Sequence, residues 1–345
     1  MDDSSPLSSR KSDHIRINLS EDVRSGLSTG LEHYTFCNDA LPELDLGEVD
    51  TQTTFFRKQL STPILISSMT GGTEATGKLN QVLAEAAQAS GVALGLGSQR
   101  VGLAYPEVSS TFQVRKIAPD ILLFANLGAV QLNRDFSEED CQRAVDMVSA
   151  DALFLHLNPL QEALQEGGDT NFKGLLNKIE LVCRKLTVPV VVKEVGWGLS
   201  EKVARQLADA GVAALDVAGA GGTSWSQVEK HRLQNPAMMR IAEEFRDWGI
   251  PTAEAIRAVH TALPALPLIA SGGLRTGQEL AKALALGSDL GGFAGPFLRA
   301  AVGGVENVVS LITELQLGLK ITMFAAGVAT ISDLKKTTLL KRSAS

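Results

Sequence analysis

Short apolar segments recur along the chain from about residue 63, and each is followed by polar or glycine residues and then by an amphipathic stretch. Continuous apolar runs of this length are typical of strands that are buried on both faces of a parallel sheet. The runs occupy Pro63–Ser68, Val92–Gly97, Ile121–Asn126, Ala152–Leu157, Val188–Glu194, Val212–Gly219, Leu266–Gly273 and Ser288–Gly295.

The amphipathic stretches between these runs predict helices. Ser137 and Ser200 are each followed by glutamate, which is typical of a helix N-terminus, and Gly211 and Gly287 stand where helices commonly end. The predicted helices cover Ala75–Ala89, Ser137–Ser149, Asn171–Leu186, Ser200–Ala210, Pro251–Leu263 and Thr276–Leu286, with a last helix at 302–328. Only Val101–Pro119 lacks a clear helical pattern, and we expect an irregular segment with one short helix there.

This alternation predicts an α/β fold, a (β/α)8 TIM barrel in one domain over residues 10–330, with an N-terminal extension and a C-terminal helix. A doubly wound open sheet is the alternative, but the GxGxxG phosphate signature of such sheets is missing. Residues 1–9 are polar and serine-rich, so we expect disorder there. Residues 331–345 read as a basic tail.

Charge and cysteine content narrow the class of protein. A net charge of −7 argues against general nucleic-acid binding, which needs a basic face. The three cysteines form no CxxC pair, which fits a reducing compartment rather than a disulfide framework or a zinc site. The first residues lack the pattern of a secretory signal, and no apolar run approaches the ~20 residues of a membrane span. We therefore expect a cytoplasmic protein without a membrane partner.

Polar and glycine residues follow nearly every predicted strand, and in a barrel these strand ends carry the chemistry. In chain order they read SSMTGG, GSQR, NLG, HLNPLQE, KE, GAGGT, SGGLR and AG. The segments 271–277 and 293–295 match the phosphate site that barrels build after strands seven and eight, although ordinary turn glycines are the alternative. Thr223 could add a hydroxyl to the same phosphate.

Three other strand ends suggest a flat, polar-edged ring. Met69 and Thr70 could lie against such a ring, although core packing is the commoner role of a methionine. Lys193 ends an apolar strand and must find an anion or an electron-rich partner, which could be a flavin or a neighbouring carboxylate. Asn126 could hydrogen-bond the edge of the ring.

Cationic and acidic candidates indicate a second, anionic ligand. Arg10, Lys11, Arg100 and His156 could bracket a di-anionic or tri-anionic group, although a surface cluster is the commoner meaning of adjacent Arg and Lys. Glu162 could hold Mg²⁺ together with ligand oxygens, or form a salt bridge.

A series of motifs resembles the type 2 isopentenyl-diphosphate isomerases, which are FMN-dependent barrel enzymes. In chain order these motifs are RKSDHI, SSMTGG, GSQR, NLG, HLNPLQE, KEVGWG, GAGGTSW and SGGLRTG. The resemblance implies FMN contacts from Ser67, Ser68, Met69, Thr70, Ser98, Asn126, Lys193, Thr223, Gly273, Leu274, Arg275, Ala294 and Gly295. It implies a substrate site formed by Arg10, Lys11, Ser98, Gln99, Arg100, His156, Asn158 and Gln161, with Mg²⁺ on Glu162.

The resemblance also implies the reaction, a 1,3-allylic proton shift that converts isopentenyl diphosphate to dimethylallyl diphosphate. Reduced FMN would act as the acid–base catalyst with Gln161 beside the alkene, NADPH would be a transient reductant, and the enzyme would be a homo-oligomer, a tetramer or octamer. The motifs contain no cysteine that could serve as an acid, which fits this chemistry.

Three alternatives remain open at the level of sequence. An FMN-dependent 2-hydroxy-acid oxidase would need a histidine base late in the barrel, where His260 falls inside a predicted helix. A barrel of the inosine-monophosphate dehydrogenase kind would need a cysteine after strand six, where GAGGTSW has none. A non-catalytic phosphate-binding barrel is the third.

Overall fold

The computed structural model of the protein describes residues 6–338 and 340–342, with side chains from residue 13 onward. In this part of the chain the strands are β1 (Tyr34–Phe36), β2 (Thr53–Phe55), β3 (Lys58–Leu60), β4 (Ile64–Ile66), β5 (Ala93–Gly95), β6 (Leu123–Gly128), β7 (Ala152–His156), β8 (Val190–Lys193), β9 (Ala214–Asp216), β10 (Leu268–Ala270), β11 (Leu290–Phe293) and β12 (Leu340–Arg342).

Strands β4 to β11 form a closed, parallel barrel in chain order, and β11 pairs with β4 to complete it. The register runs from Leu65 opposite Ala93 to Gly291 opposite Ile64. Each of the eight strands overlaps one of the predicted apolar runs, and only β6 extends beyond its run, by two residues, so the predicted (β/α)8 barrel is confirmed.

Helices surround the barrel and alternate with its strands. In the described part of the chain they are α1 (Pro6–Ser20), α2 (Glu74–Ser90), α3 (Arg100–Ala104), α4 (Glu138–Val148), α5 (Pro159–Leu164), α6 (Leu175–Lys185), α7 (Glu201–Asp209), α8 (Trp225–Lys230), α9 (Pro236–Glu244), α10 (Thr252–Ala262), α11 (Gly277–Ala285), α12 (Gly295–Val302), α13 (Val305–Ala325) and α14 (Ile331–Lys336). Short 3-10 helices occupy Leu31–His33, Leu46–Glu48, Pro106–Phe112 and Ala129–Asn133.

Every predicted helix is present, and its ends follow the capping residues that the sequence carries. Thr73, Ser137 and Thr276 each form a capping box, in which the N-cap side chain and the third helical residue satisfy each other's backbone amides. The irregular connection at Val101–Pro119 holds the end of α3 and one 3-10 helix. The short helices α5, α8, α9 and α12 were not predicted.

Both ends of the described chain are more ordered than the sequence suggested. Helix α1 begins at Pro6, within the segment predicted to be disordered, and α14 and β12 lie within the segment described as a basic tail. Strand β12 pairs antiparallel with β1, with Leu340 opposite Phe36, and Leu340 packs against the main core. Backbone pairing and one apolar side chain therefore hold this tail on the barrel.

Aromatic side chains fill the barrel interior away from the strand ends that carry polar residues. The hairpin of β2 and β3, directly before β4, packs Phe55 and Phe56 towards Phe124 of β6, and Phe124 stacks on Phe154 with ring centroids 4.4 Å apart. Phe55, Phe124 and Phe154 are almost completely buried. This cluster closes the interior and leaves the opposite end, at the C-terminal ends of the strands, for a ligand.

Helix α13 is the one described helix that is long and apolar enough to cross a membrane, with 21 residues and a mean hydropathy of 1.4 in its most apolar window. Its buried residues are Val308, Ile312, Leu315, Leu319 and Met323, which form a single stripe along one face. Gly277 of α11 approaches its backbone so closely that a Cβ there would lie 2.2 Å from the Leu315 carbonyl oxygen. These contacts are those of an outer barrel helix.

Candidate functional site

A cavity of about 830 Å³ opens at the C-terminal ends of the barrel strands. It brings together nearly all the residues singled out in the sequence. Those that line it are Ser67, Ser68, Met69, Thr70, Ser98, Arg100, Asn126, His156, Asn158, Gln161, Glu162, Lys193, Thr223, Gly273, Leu274, Arg275, Ala294 and Gly295. Arg10 and Lys11 belong to helix α1, but their side chains lie outside the described part of the chain.

Gln99 is the exception among the described candidates. Its side chain is fully buried and does not line the cavity. Gln99 Nε2 donates to the Ala144 carbonyl at 2.8 Å, and its Oε1 accepts from the backbone N–H of Asn126 at 2.8 Å. The Gln99 side chain therefore ties β6 to helix α4, and the substrate contact expected of this residue stays a prediction.

Serine hydroxyls at the end of β4 indicate an absent polar ligand. Among the residues that the structure describes, the buried Oγ atoms of Ser67 and Ser68 have no hydrogen-bond partner. Space beside them is kept by glycine, since a Cβ at Gly292 would lie 2.6 Å from Ser67 Oγ. Buried hydroxyls are normally paired, so these two donors fit the polar edge of a cofactor ring.

A glycine cradle lies on the β9 and β10 side of the cavity. Gly273 adopts φ +89°, and a Cβ there would lie 2.5 Å from the Gly221 carbonyl carbon. A Cβ at Gly222 would lie 2.7 Å from the Gly273 amide nitrogen. Across the cavity, helix α12 starts at Gly295, where a Cβ would be 3.5 Å from Arg299 Nη1. Bare backbone, a helix N-terminus and a nearby guanidinium fit a phosphate group.

Buried charges support the floor of the same cavity. Lys193 ends β8 and is 8 % exposed, and Asp216 lies opposite it on β9 with no exposure at all. Burial raises the pKa of Asp216, which the charge of Lys193 partly opposes, and Asp216 Oδ1 accepts a hydrogen bond from Ser271 at 2.7 Å. Lys193 therefore faces a carboxylate across the strands and also lines the cavity, and its contact with a flavin stays a prediction.

Glu194 does not act on a ligand. Its Oε2 accepts the backbone N–H groups of Val195, Gly196 and Trp197 at 2.6 to 2.8 Å, so the carboxylate organises the loop after β8. Burial raises the pKa of Glu194 to about 7, against the lowering effect of these three amides and of Lys193.

Asn126 and His156 are linked to each other on neighbouring strands. His156 Nδ1 lies 2.9 Å from Asn126 Oδ1, and Asn126 Nδ2 donates to the Leu96 carbonyl at 3.0 Å. This chain of hydrogen bonds fixes the imidazole at the edge of the cavity. The fixed ring lines the cavity at the end of β7.

The HLNPLQE segment turns from β7 into helix α5, and its polar side chains form one network. Asn158 Nδ2 donates to Gln161 Oε1 at 3.1 Å and to Glu162 Oε1 at 2.9 Å. All three side chains are at least nine-tenths buried, and Asn158 Oδ1 is a buried acceptor without a partner in the described chain. Within the described residues no cluster of three His, Cys, Asp or Glu could hold a metal, so a cation on Glu162 would need ligand oxygens.

Glu229 on helix α8 does not line the cavity but holds Gln161, which does, and sequence reasoning missed it. Its Oε1 accepts from Gln161 Nε2 at 2.9 Å and lies 3.3 Å from His14 Nε2, while Arg232 Nη1 contacts Oε2 at 2.9 Å. Burial opposes the charge of Glu229, but His14, Gln161 and Arg232 outweigh it and lower its pKa to about 2. The only sequence signal was Trp225, which is four residues earlier on the same helix.

Helix α1 covers part of the cavity through these contacts. His14 stacks edge-on against Trp225 with ring centroids 5.0 Å apart, and Thr223 Oγ1 donates to Asn18 Oδ1 at 3.3 Å. Ile17 is completely buried in a small cluster with Val23 and Val228. The N-terminal extension is therefore part of the cavity wall.

The cysteines take no part in the site. Burial raises the pKa of Cys141 to about 12 and that of Cys183 to about 11, which suppresses the thiolate form. Cys37 is exposed, and none of the three lines the cavity. A thiol acid or nucleophile is absent from this cavity.

Comparisons with known proteins show which family the chain resembles. A family described as FMN-dependent dehydrogenase matches residues 137–341. An isopentenyl-diphosphate delta-isomerase of Nostoc sp. (strain PCC 7120) is 52% identical over 99% of this chain and 97% of its own, and one from Rickettsia bellii (strain RML369-C) is 54% identical over 96% of both. A solved mandelate oxidase variant with (S)-mandelic acid, 20% identical, superimposes with a TM-score of 0.69 over 99% of this chain and 98% of its own, and shows the shared barrel fold.

Proposed function

The chain belongs to the isopentenyl-diphosphate delta-isomerases of the FMN-dependent barrel class, and from this membership we propose how its cavity divides between cofactor and substrate. The serine hydroxyls, the glycine cradle and Lys193 hold FMN. His156, Asn158, Gln161 and Arg100 hold the substrate diphosphate and its alkene, and Glu162 holds Mg²⁺. One observation carries this division: buried, unpaired hydroxyls and a glycine cradle share the cavity with the Asn158–Gln161–Glu162 network.

The fit of FMN is supported by the kinds of group present. Ser67 and Ser68 offer donors, Lys193 offers positive charge beside the ring, and the backbone around Gly273 and Gly295 offers room and amides for the phosphate. A protein adjusts the reactivity of a flavin through the charges and hydrogen bonds that it places around the ring. When bound, reduced FMN supplies the acid–base chemistry of the 1,3-proton shift.

The protein's own residues bind, orient and dehydrate the substrate. Arg100, His156 and Asn158 bind the diphosphate, with Arg100 offsetting part of its charge, and Gln161 orients the alkene. Gln161 keeps one amide hydrogen for the ligand because its oxygen and its other hydrogen are already bonded to Asn158 and Glu229. Helix α1 and Trp225 exclude water from the cavity, because an unactivated alkene is protonated only at a site shielded from water. The fixed positions of the binding side chains remove much of the entropic barrier to the reaction.

Other parts of the proposal rest on the same membership. Mg²⁺ would be bound by Glu162 together with diphosphate oxygens, and NADPH would reduce FMN in a transient complex. We further propose a cytoplasmic homo-oligomer, a tetramer or octamer, without a nucleic-acid or membrane partner. The single barrel domain would span residues 10–330.

A 2-hydroxy-acid oxidase is the alternative that the barrel fold would allow. That chemistry needs a histidine base beside arginines late in the barrel. In the described chain His260 lies on helix α10 against Gly287 and does not line the cavity, although Arg275 and Arg299 do. The cavity therefore favours the isomerase.

The test is the conversion of labelled isopentenyl diphosphate by purified protein with FMN, NADPH and Mg²⁺, with and without air. We expect a yellow protein that bleaches with dithionite, and dimethylallyl diphosphate only under reducing conditions. A protein that cannot be reconstituted with FMN, or that is active with oxidised flavin alone, would contradict the proposal. Oxygen-dependent consumption of a 2-hydroxy acid would favour the alternative.

A further inference from the structure

The loop between α5 and α6 carries a carboxylate that contacts the substrate cavity only indirectly. Asp169 does not line the cavity, yet its Oδ2 lies 3.0 Å from Arg100 Nη1 and accepts from Gln131 Nε2 at 3.1 Å. Its Oδ1 is 2.5 Å from Arg134 Nη1. The Asp169 side chain is 16 % exposed and that of Arg100 is 23 % exposed, so this is a partly desolvated pair.

The backbone of the same residue contacts the other half of the site. The Asp169 N–H donates to Glu162 Oε2 at 2.6 Å, and Glu162 Oε1 is held separately by Asn158. Gly168 permits this approach, because a Cβ there would lie 2.0 Å from the Glu162 carbonyl oxygen. The Gly168 N–H is bonded to the Gln165 carbonyl at 3.1 Å, which closes the turn.

Asp169 therefore contacts two oppositely charged side chains of the cavity, Arg100 and Glu162. Arg100 lines the cavity from the β5 side and Glu162 lines it from the β7 side, and neither contacts the other in any hydrogen bond or ion pair within the described chain. A guanidinium that binds a diphosphate and a carboxylate that binds its cation do so most tightly when both side chains are already held in position before the ligand arrives. Asp169 supplies that connection through its side chain and its amide.

We propose that Asp169 is a positioning residue of the substrate site, whose carboxylate aims Arg100 and whose backbone N–H aims Glu162 at the same diphosphate. This inference rests on the proposed function, since it takes the ligand to be a diphosphate with Mg²⁺. It makes two separable claims, one for the side chain and one for the backbone.

Two substitutions separate the claims. Asp169→Asn removes the charge but keeps the shape and the backbone N–H, so we expect the KM for isopentenyl diphosphate to rise about tenfold with kcat changed less than about threefold. The Mg²⁺ half-saturation should stay within about twofold. Gly168→Ala instead displaces the amide from Glu162 and should raise the Mg²⁺ half-saturation about tenfold.

Asp135→Asn is the matched control. Asp135 lies on the outer side of Arg134, 78 % exposed, and contacts neither Arg100 nor Glu162 in the described chain. We expect it to leave KM, kcat and the Mg²⁺ half-saturation unchanged. FMN content and melting temperature of each variant report whether the barrel has folded.

Direct binding gives a readout that is independent of turnover. Titration of FMN-loaded protein with inorganic pyrophosphate and Mg²⁺, followed by calorimetry, should show about tenfold weaker binding in Asp169→Asn and wild-type binding in Asp135→Asn. Equal or tighter binding in Asp169→Asn would overturn the inference, because Asp169 would then compete with the ligand for Arg100. A wild-type protein that lacks isomerase activity would overturn the proposed function instead, and the two failures are distinguishable.

Discussion

The side-chain amide of Gln161 donates from Nε2 to Oε1 of Glu229 at 2.9 Å. Because Gln161 Oε1 accepts from Asn158 at the same time, both ends of the amide have assigned partners and the group cannot rotate without losing two hydrogen bonds. Glu229 in turn is held by His14 of helix α1 and by Arg232. The orientation of Gln161 therefore depends on the N-terminal helix.

Replacement of Gln161 by alanine should reduce kcat by about 10²-fold or more, because the alkene loses the side chain that orients it for proton transfer. FMN should stay bound, because Gln161 belongs to the substrate side of the cavity. Steady-state kinetics with an absorbance measurement of flavin content checks both points. Gln59→Ala, in the exposed part of the β2–β3 hairpin, is the control, and unchanged kcat in Gln161→Ala would contradict the assignment.

Replacement of Glu229 by glutamine should destabilise the protein in a pH-dependent way. Its pKa is about 2 in the folded protein against an ordinary value of 4.5, so its stabilisation is complete above pH 4.5 and is lost as the pH falls towards 2. The difference in unfolding free energy between wild type and Glu229→Gln should reach roughly 3 kcal/mol at pH 6.

Urea unfolding at pH 6, 4 and 3 measures that difference, and we expect it to shrink at each step. Glu244→Gln, at an exposed position of helix α9, serves as the control. If the difference in unfolding free energy stays constant from pH 6 to pH 3, the folded protein does not selectively stabilise the ionised form of Glu229.

Replacement of Gly273 by alanine should abolish FMN retention. Its φ of +89° is unfavourable for alanine, and the added Cβ would lie 2.5 Å from the backbone of Gly221, so the phosphate cradle must move. Gly304→Ala is a matched control, because Gly304 has a φ of +100° but open space around it. The ratio of flavin to protein absorbance after gel filtration compares the two. Equal flavin content would place the phosphate elsewhere.

Replacement of Glu162 by glutamine should weaken the dependence of activity on Mg²⁺ and raise the Mg²⁺ half-saturation at least tenfold. A neutral amide is a poorer ligand for Mg²⁺ than a carboxylate. Glu166→Gln changes the same residue type at an exposed position just after helix α5 and should leave the titration unchanged. Identical Mg²⁺ titration curves for both variants would remove Glu162 from the proposed metal site.

The barrel was predictable because its strands are short, continuous apolar runs and its helices carry recognisable caps. Runs such as Ala152–Leu157 and caps such as Ser137 need no knowledge of distant contacts. The helices α5, α8, α9 and α12 were missed because they have six to nine residues, too few for a clear period. Tertiary packing, not local propensity, fixes helices of this length.

Site residues at the ends of barrel strands were predictable, whereas residues that contact the site from sequence-distant segments were not. Asn126, His156 and Gln161 follow apolar strands, and barrel geometry brings them together. Glu229 and Asp169 lie in segments without such a signal, and their partners are distant in sequence. Gln99 shows that a polar side chain in a site motif can also hydrogen-bond the scaffold, which the sequence motif does not reveal.

The pairing of β11 with β4 has a consequence for synthesis of the chain on the ribosome. One edge of β4 has no pairing strand until β11, which ends at Phe293, has left the ribosome. Strand β1 remains unpaired for longer, until β12 with Leu340 has been synthesised. An incomplete chain therefore carries an unpaired, wholly apolar strand edge, which is prone to association with other chains. We expect the nascent protein to rely on chaperones until its last barrel strand closes the ring.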